Sequence, residues 1–389
     1  MNTQNGTGCL INEAENYIEA NIALQYLMTK ENKSCAVLML LGSPGIGKTQ
    51  VMSEFCEKHG YGLIVHHMAI MLLEMLTGLP RPGHQEGTIE WSKPEILNFD
   101  KLLIPSKNSK IILFLDDIHL CTKEIQKYLF RLIDSNNRGI HGYSLPDNVA
   151  IVMAGNQDTD KAGFQQILAP VSNRIYFQKV HSDAKCWINN FAIKNGIRID
   201  IISFIDQHTD MISSDPLESK AWASPRSWTN CSKQIDMLQK IRQKDELDVI
   251  DLLNVCSGII GEEFAKSFVE YVKVLSKWNA VDILAGKKEI VYKDLSKSSC
   301  YCLLVACINE FIKHIRLNKY NVAKITNFRN ELVDVFHSIH PISAEVVPIG
   351  ISILLKTEMV ENNKSTPISL SILELMDSDM KTKVYKCLN

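Results

Sequence analysis

The sequence predicts an α/β fold in which a parallel sheet flanked by helices carries a phosphate-binding loop, followed by two mostly helical regions. Three observations carry this expectation. Residues 37–55, VLMLLGSPGIGKTQVMSEF, set a glycine-rich loop between an apolar strand and a helix. From residue 10 to about 180 apolar strand-like runs alternate with helical periods, as a sheet with crossover helices requires. Beyond about residue 180 the strand signals fade and long amphipathic stretches take over.

Taken in order, the strand runs are Val37–Leu41, Leu63–His67, Ile111–Leu115, Ala150–Ala154 and Arg174–Phe177. Further along, SKQIDMLQKIRQKDELDVIDLLNV and EEFAKSFVEYVKVLSKW read as helical segments. Residues 280–389 also read as mostly helical, interrupted near HPISAEVVP and ENNKSTP by proline and polar clusters. The expected organisation is a nucleotide-binding α/β domain over 1–182, a helical domain over 183–280 and a helical extension over 281–389. No internal repeat or low-complexity tract is present.

Within the loop the pattern is Gly42-x-x-x-x-Gly47-Lys48-Thr49, with Pro44 and Gly45 between. Glycines reach backbone angles closed to other residues, so the chain can curl its N–H groups around an anion. Lys48 adds a fixed positive charge for the terminal phosphates, and the Thr49 hydroxyl suits a magnesium ligand. A helix starting here would also turn its N-terminus toward the phosphates. Gly42, Ser43, Pro44, Gly45, Ile46, Gly47, Lys48, Thr49 and Gln50 are therefore the candidate ATP-binding set, with Mg2+ as the companion ion.

Bulk properties narrow the rest. A chain of 389 residues is long enough for two or three domains, and a net charge of −2 argues against a globally basic nucleic-acid coat. No apolar run approaches a membrane span, and the polar start MNTQNGTG is unlike a signal peptide, so a soluble cytoplasmic protein is expected. The 11 cysteines are scattered through apolar segments, which fits reduced thiols. Cys300, Cys302 and Cys307, with His314 nearby, have the residue types of a metal site. The surrounding SSCYCLLVACINEFIKHI instead reads as an apolar helix in which cysteine is a small hydrophobe.

Two further segments interrupt the first domain. Residues 78–95, GLPRPGHQEGTIEWSKPE, and residues 137–148, NRGIHGYSLPDN, read as loops or hairpins projecting from the core. Trp91 and Arg81 favour a working role for the first over that of a plain connector.

The remaining chemistry lies on later strands. IILFLDD ends in Asp116, placed to hold the magnesium through water, and Asp117, placed to polarise an attacking water. IVMAGNQ ends in Asn156, whose amide can orient water beside a terminal phosphate. Arg174, in LAPVSNRIYFQ, is read as a surface position far along the sheet from its own phosphate loop. Arg226, in AWASPRSW, follows a Ser-Pro helix start. Taken singly, either arginine is a surface charge. Together with the loop, guanidinium groups suit charge spread over phosphoryl oxygens.

The order GSPGIGKT, ILFLDD, GNQ, SNR and SPRSW resembles the AAA+ ATPases, and within them the MoxR-like branch, over about residues 20–230. HHMAIMLLEMLTGLPRPG and RGIHGYSLPDNVAIVMAGN resemble that branch's helix-2 insertion and the hairpin before its sensor strand. The resemblance implies that Asn156 is sensor 1, Arg174 an arginine finger reaching a neighbour's site and Arg226 sensor 2 on a helical lid. It also implies a homo-oligomeric ring, usually a hexamer, acting on protein substrates through a separate partner or adaptor protein.

One departure stands out, since the family usually has Glu where this chain has Asp117. A carboxylate about 1 Å short of its water costs roughly 100-fold in rate, so slow hydrolysis with intact binding is expected. The leading expectation is an ATP-driven ring that remodels proteins. A nucleic-acid-linked motor is the second reading, with Arg81, Lys93, Arg138 and His141 as its basic loop residues. A slow nucleotide-gated assembly switch is the third.

Overall fold

Strands that are buried on both faces read as unbroken apolar runs, and such strands pair in parallel beneath covering helices. The computed structural model describes residues 9–31, 33, 35–99, 110–134, 138–157, 166–215, 220–243, 247–287, 290, 295, 297–317, 322–341, 350–351, 354, 372–376, 378 and 380–382. The chain divides into two compact units, Met1–Ser182 with Asp215–Glu218, and Asp183–Ser214 with Ser219–Asn389.

The first unit runs β1 (Cys9–Leu10), α1 (Ala14–Lys30), β2 (Val37–Leu41), α2 (Lys48–His59), β3 (Gly62–His67), α3 (Leu73–Thr77), β4 (Pro80–Pro82) and β5 (Ile89–Trp91). It continues through β6 (Ile111–Asp116), α4 (Lys123–Leu132), β7 (Gly139–Ile140), β8 (Tyr143–Ser144), β9 (Val149–Gly155), α5 (Ala169–Ser172) and β10 (Ile175–His181). Six strands form one sheet in the order β1-β10-β2-β9-β6-β3, every pair parallel. β6 and β9 are buried at every residue, which is why they read as continuous apolar segments.

α1 lies against this sheet through Ala14, Ile18 and Ile22, and also through two buried amides. Asn21 Nδ2 donates to the Ala36 carbonyl at 2.9 Å, and its Oδ1 accepts from the Leu38 N–H at 3.0 Å. Gln25 does the same for Ile151, at 2.7 and 2.9 Å. These pairs satisfy strand groups that would otherwise be buried without partners.

Both interrupting segments are antiparallel hairpins, β4 with β5 and β7 with β8. They also meet each other. Trp91 stacks on His141 with ring centroids 4.0 Å apart and planes 4° from parallel, and Tyr143 Oη donates to the Trp91 carbonyl at 2.8 Å. Arg138 departs from its expected place on a basic loop surface, because it turns inward. Its guanidinium donates to Thr29 Oγ1 and to the Val149 carbonyl, and burial lowers its pKa. Asn137 lies outside the described residues.

The second unit contains α6 (Ala184–Trp187), α7 (Ile199–Gln207), α8 (Pro225–Arg242), α9 (Val249–Ile260), α10 (Glu262–Ser276), α11 (Ala280–Leu284), α12 (Lys297–Leu317) and α13 (Val322–Ile339). Its core joins Phe204, Trp228 and Phe268, with ring centroids 5.4 to 5.7 Å apart. The SKQIDMLQKIRQKDELDVIDLLNV stretch is two helices. α8 stops where Gln243 takes a left-handed φ of 53°, and Asp248 caps α9.

Cys300, Cys302 and Cys307 are buried along α12, and desolvation pushes the Cys307 thiol up to about 12. A thiol held protonated in this way packs as an apolar side chain. Of the expected interruptions, HPISAEVVP from residue 342 onward and all of ENNKSTP lie outside the described residues. Among the described residues no helix is long and apolar enough to cross a membrane.

Candidate functional site

The C-terminal ends of β2, β9 and β6 stand side by side, and each delivers one part of the site. β2 leads into the loop Gly42–Gly47, β6 ends on Asp116, and Asn156 follows β9 between them. Ligands of open parallel sheets bind at this carboxyl edge.

Gly45 and Gly47 have φ of 81° and 105°, which curls the loop into the start of α2. Gly42 is needed for space, not for backbone freedom. A Cβ there would lie 2.5 Å from the Val180 carbonyl of β10 and from Ile46 Cδ1. Ser43, Pro44 and Gly45 are half-buried and Ile46 is buried beneath the loop. The Gln50 side chain turns along α2 to Glu54 at 2.9 Å, away from the loop.

Lys48 is buried and its ammonium is held by the Gly42 carbonyl at 2.7 Å, the Ser43 carbonyl at 3.1 Å and Asn156 Oδ1 at 3.0 Å. Thr49 Oγ1 donates to Asp116 Oδ2 at 2.6 Å, and the Asp117 N–H donates to Asp116 Oδ1 at 3.0 Å. Asp116 is thus oriented from both sides. Asp117, half-buried, has a left-handed φ of 58°, a conformation that Asp tolerates better than most residues. The hydroxyl and carboxylates are hard oxygen donors that fit Mg2+.

His119 was not marked by the sequence pattern. It is buried, two residues past Asp117, and its Nδ1 accepts the Asn156 N–H at 3.1 Å. That bond assigns the ring proton to Nε2, which lies 3.1 Å from Asn156 Nδ2. As placed, the Asn156 amide turns its oxygen to the Lys48 ammonium and its nitrogen to the His119 ring. His67 was also missed. The β3–β6 register sets it directly beside Asp116.

Arg174 stands at the opposite end of the strands. Its carbonyl accepts from the Val37 N–H at the start of β2, so β10 is next to the phosphate-loop strand. The separation from its own loop is the length of a strand and not the breadth of the sheet. Its guanidinium lies over the Phe130 ring at 4.2 Å and 3.8 Å from Asp134, with one third of the side chain exposed.

Arg226 belongs to the second unit. Ser224 caps α8 in a reciprocal box with Ser227, Pro225 opens the helix and Trp228 fills the core, leaving Arg226 exposed.

Among solved structures the chain is similar to the RuvB Holliday junction branch migration motor of Thermotoga maritima. Identity is 14%, with 73% of this chain and 80% of that chain covered and a TM-score of 0.35. A proline-to-glycine mutant of the same RuvB matches at 13% identity over 74% and 84% of the two chains, with a TM-score of 0.35. No curated protein matches this chain. Residues 37–171, which hold the phosphate loop, the oriented Asp116 and Asn156, match the model of the AAA domain of the dynein-related subfamily.

Proposed function

We propose that this chain is an ATP hydrolase that works as a homo-oligomeric ring, a hexamer by its MoxR-like resemblance, and remodels partner proteins. The observation that carries the hydrolase reading is the Thr49–Asp116 contact of 2.6 Å beside the buried Lys48 ammonium. It matches a preformed seat for a nucleotide phosphate and its magnesium ion. Mg2+ there would supply charge neutralisation of the phosphates. Thr49 and Asp116 hold that position, Lys48 binds the terminal phosphates, and Asp117 accepts the proton of the attacking water. Asn156 positions that water. Lys48 exchanges its bond to Asn156 for the phosphate, which lets the amide turn over and offer its oxygen to His119 Nε2–H. The MoxR-like resemblance gives Arg226, exposed on α8, the part of sensor 2, and gives residues 183–280 the part of a helical lid.

Exposed apolar side chains support a protein partner. Ile70 is 77% exposed, Ile89 is 70% exposed, and Leu72 and Leu79 are exposed on the same segment. The inward turn of Arg138 removes one of the four basic residues on which the nucleic-acid reading depends.

The test is ATP turnover against protein concentration, with oligomer mass recorded in the same samples. Turnover rising steeply as rings form supports the reading, whereas ATP-dependent rings without turnover favour the assembly switch.

Two substitutions refine it. Arg174→Ala leaves nucleotide affinity intact and lowers turnover of the assembled form by about 10³-fold, the scale of an arginine offered in trans. An unchanged rate in the assembled ring assigns that role to another arginine. His119→Ala lowers turnover about 10-fold, the effect of one lost orienting hydrogen bond, with nucleotide affinity unchanged. Equal losses in affinity and turnover would mean that His119 serves the fold alone.

A further inference from the structure

We infer that His67, Asp116 and Asp117 form a divalent-metal site that takes a first-row transition ion in the absence of nucleotide, with His67 as its selectivity-determining ligand. One donor atom from each residue lies within 4.8 Å of the other two. In an octahedral site with bonds of about 2.1 Å, neighbouring donors are about 3 Å apart and opposite donors about 4.2 Å. Side-chain rotations of about 1 Å close the present cluster onto an ion of that size.

The three donors differ in rigidity. Asp116 is buried and fixed by the Thr49 hydroxyl at 2.6 Å and the Asp117 N–H at 3.0 Å. These hydrogen bonds orient a ligand while leaving its other lone pairs available. Asp117 comes next on a left-handed backbone with φ of 58°, which turns the chain just after the strand. His67 ends β3 opposite Asp116 and is exposed, so its ring is free to turn onto the ion. Its neighbour His66 is half-buried, and strand alternation sends the two imidazoles to opposite faces.

Two carboxylates and a neutral imidazole neutralise a divalent ion and leave positions for water or phosphate oxygens. An imidazole nitrogen is also what separates this set from an all-oxygen magnesium seat. Mg2+ favours oxygen and keeps its waters, while imidazole suits iron, nickel, copper and zinc, and the affinity of a mixed nitrogen–oxygen site rises from Mn2+ along the first row to Cu2+. The inference adds to the proposed function a ligand that the phosphate-loop reading does not need, and it concerns the nucleotide-free protein.

The experiment is titration of the full, nucleotide-free chain with Mn2+, following loss of the free-ion electron paramagnetic resonance signal, with Mg2+ competition. Co2+ absorption is recorded in parallel as a report of nitrogen coordination. The expected result is one Mn2+ per chain, bound more tightly than Mg2+, with His67→Ala weakening Mn2+ by about 10- to 100-fold and Mg2+ little. Asp117→Asn weakens both ions. Because His67 is exposed at a strand end, circular dichroism of His67→Ala stays that of the parent. Equal Mn2+ affinity in parent and His67→Ala, or no Mn2+ bound at millimolar concentration, overturns the inference. Since no nucleotide is present, either outcome is independent of whether the chain hydrolyses ATP.

Discussion

Lys48→Ala weakens ATP binding by at least about 100-fold, because it removes charge-assisted hydrogen bonds to the terminal phosphates. In the nucleotide-free protein the ammonium is already buried and held by Gly42, Ser43 and Asn156 oxygens at 2.7 to 3.1 Å. Those contacts preorganise it above the loop. The fold survives the change, since losing a buried cation also removes its desolvation cost. Calorimetric titration with ATP, alongside circular dichroism, measures both quantities. Tight binding by a folded Lys48→Ala protein would remove the phosphate-loop reading at its base.

Asp117→Asn separates binding from turnover. Asparagine accepts the left-handed φ of 58° at this position at least as well as aspartate, so the backbone is kept while the proton acceptor is lost. Turnover falls by about 10² to 10⁴-fold, the range for a lost general base, while ATP affinity remains. Asp117→Glu preserves or raises turnover by extending the carboxylate toward the water. It carries a stability loss of about 1 kcal/mol, because glutamate is less at home in a left-handed conformation. Steady-state turnover and thermal melts of the two variants measure the pair. A large loss of turnover in Asp117→Glu would show a site built around the shorter acid.

The central strands were legible because they are buried on both faces. β2 matches its predicted bounds, and β6 and β9 extend them by one residue at the C-terminus and one at each end, respectively. Thr49 and Asp116 were legible as partners because a phosphate loop demands a second strand ending in an acid. Their 2.6 Å contact is what packing adds. His119 and His67 were not legible. One takes its place by lying under Asn156, from a strand that arrives much later in the chain, and the other by its register with β6. No spacing in the sequence encodes either juxtaposition. Arg138 was misread for the same reason, since a basic residue in a polar loop reads as exposed until the partner carbonyl of Val149 is placed beside it.

By itself the sequence determined the phosphate loop, the buried strands and the helical character of the chain beyond about residue 180. These arise from local backbone freedom and from hydrophobic period, which act over a few neighbouring residues. Tertiary structure alone decided that Gly42 is required by β10, that Lys48 rests on Asn156, and that Trp91 of one hairpin stacks on His141 of the other. Each of these is a contact between segments distant in the chain, whose meeting depends on strand order and register. Pairing of that kind is set by the burial of whole faces, not by any short run of residues.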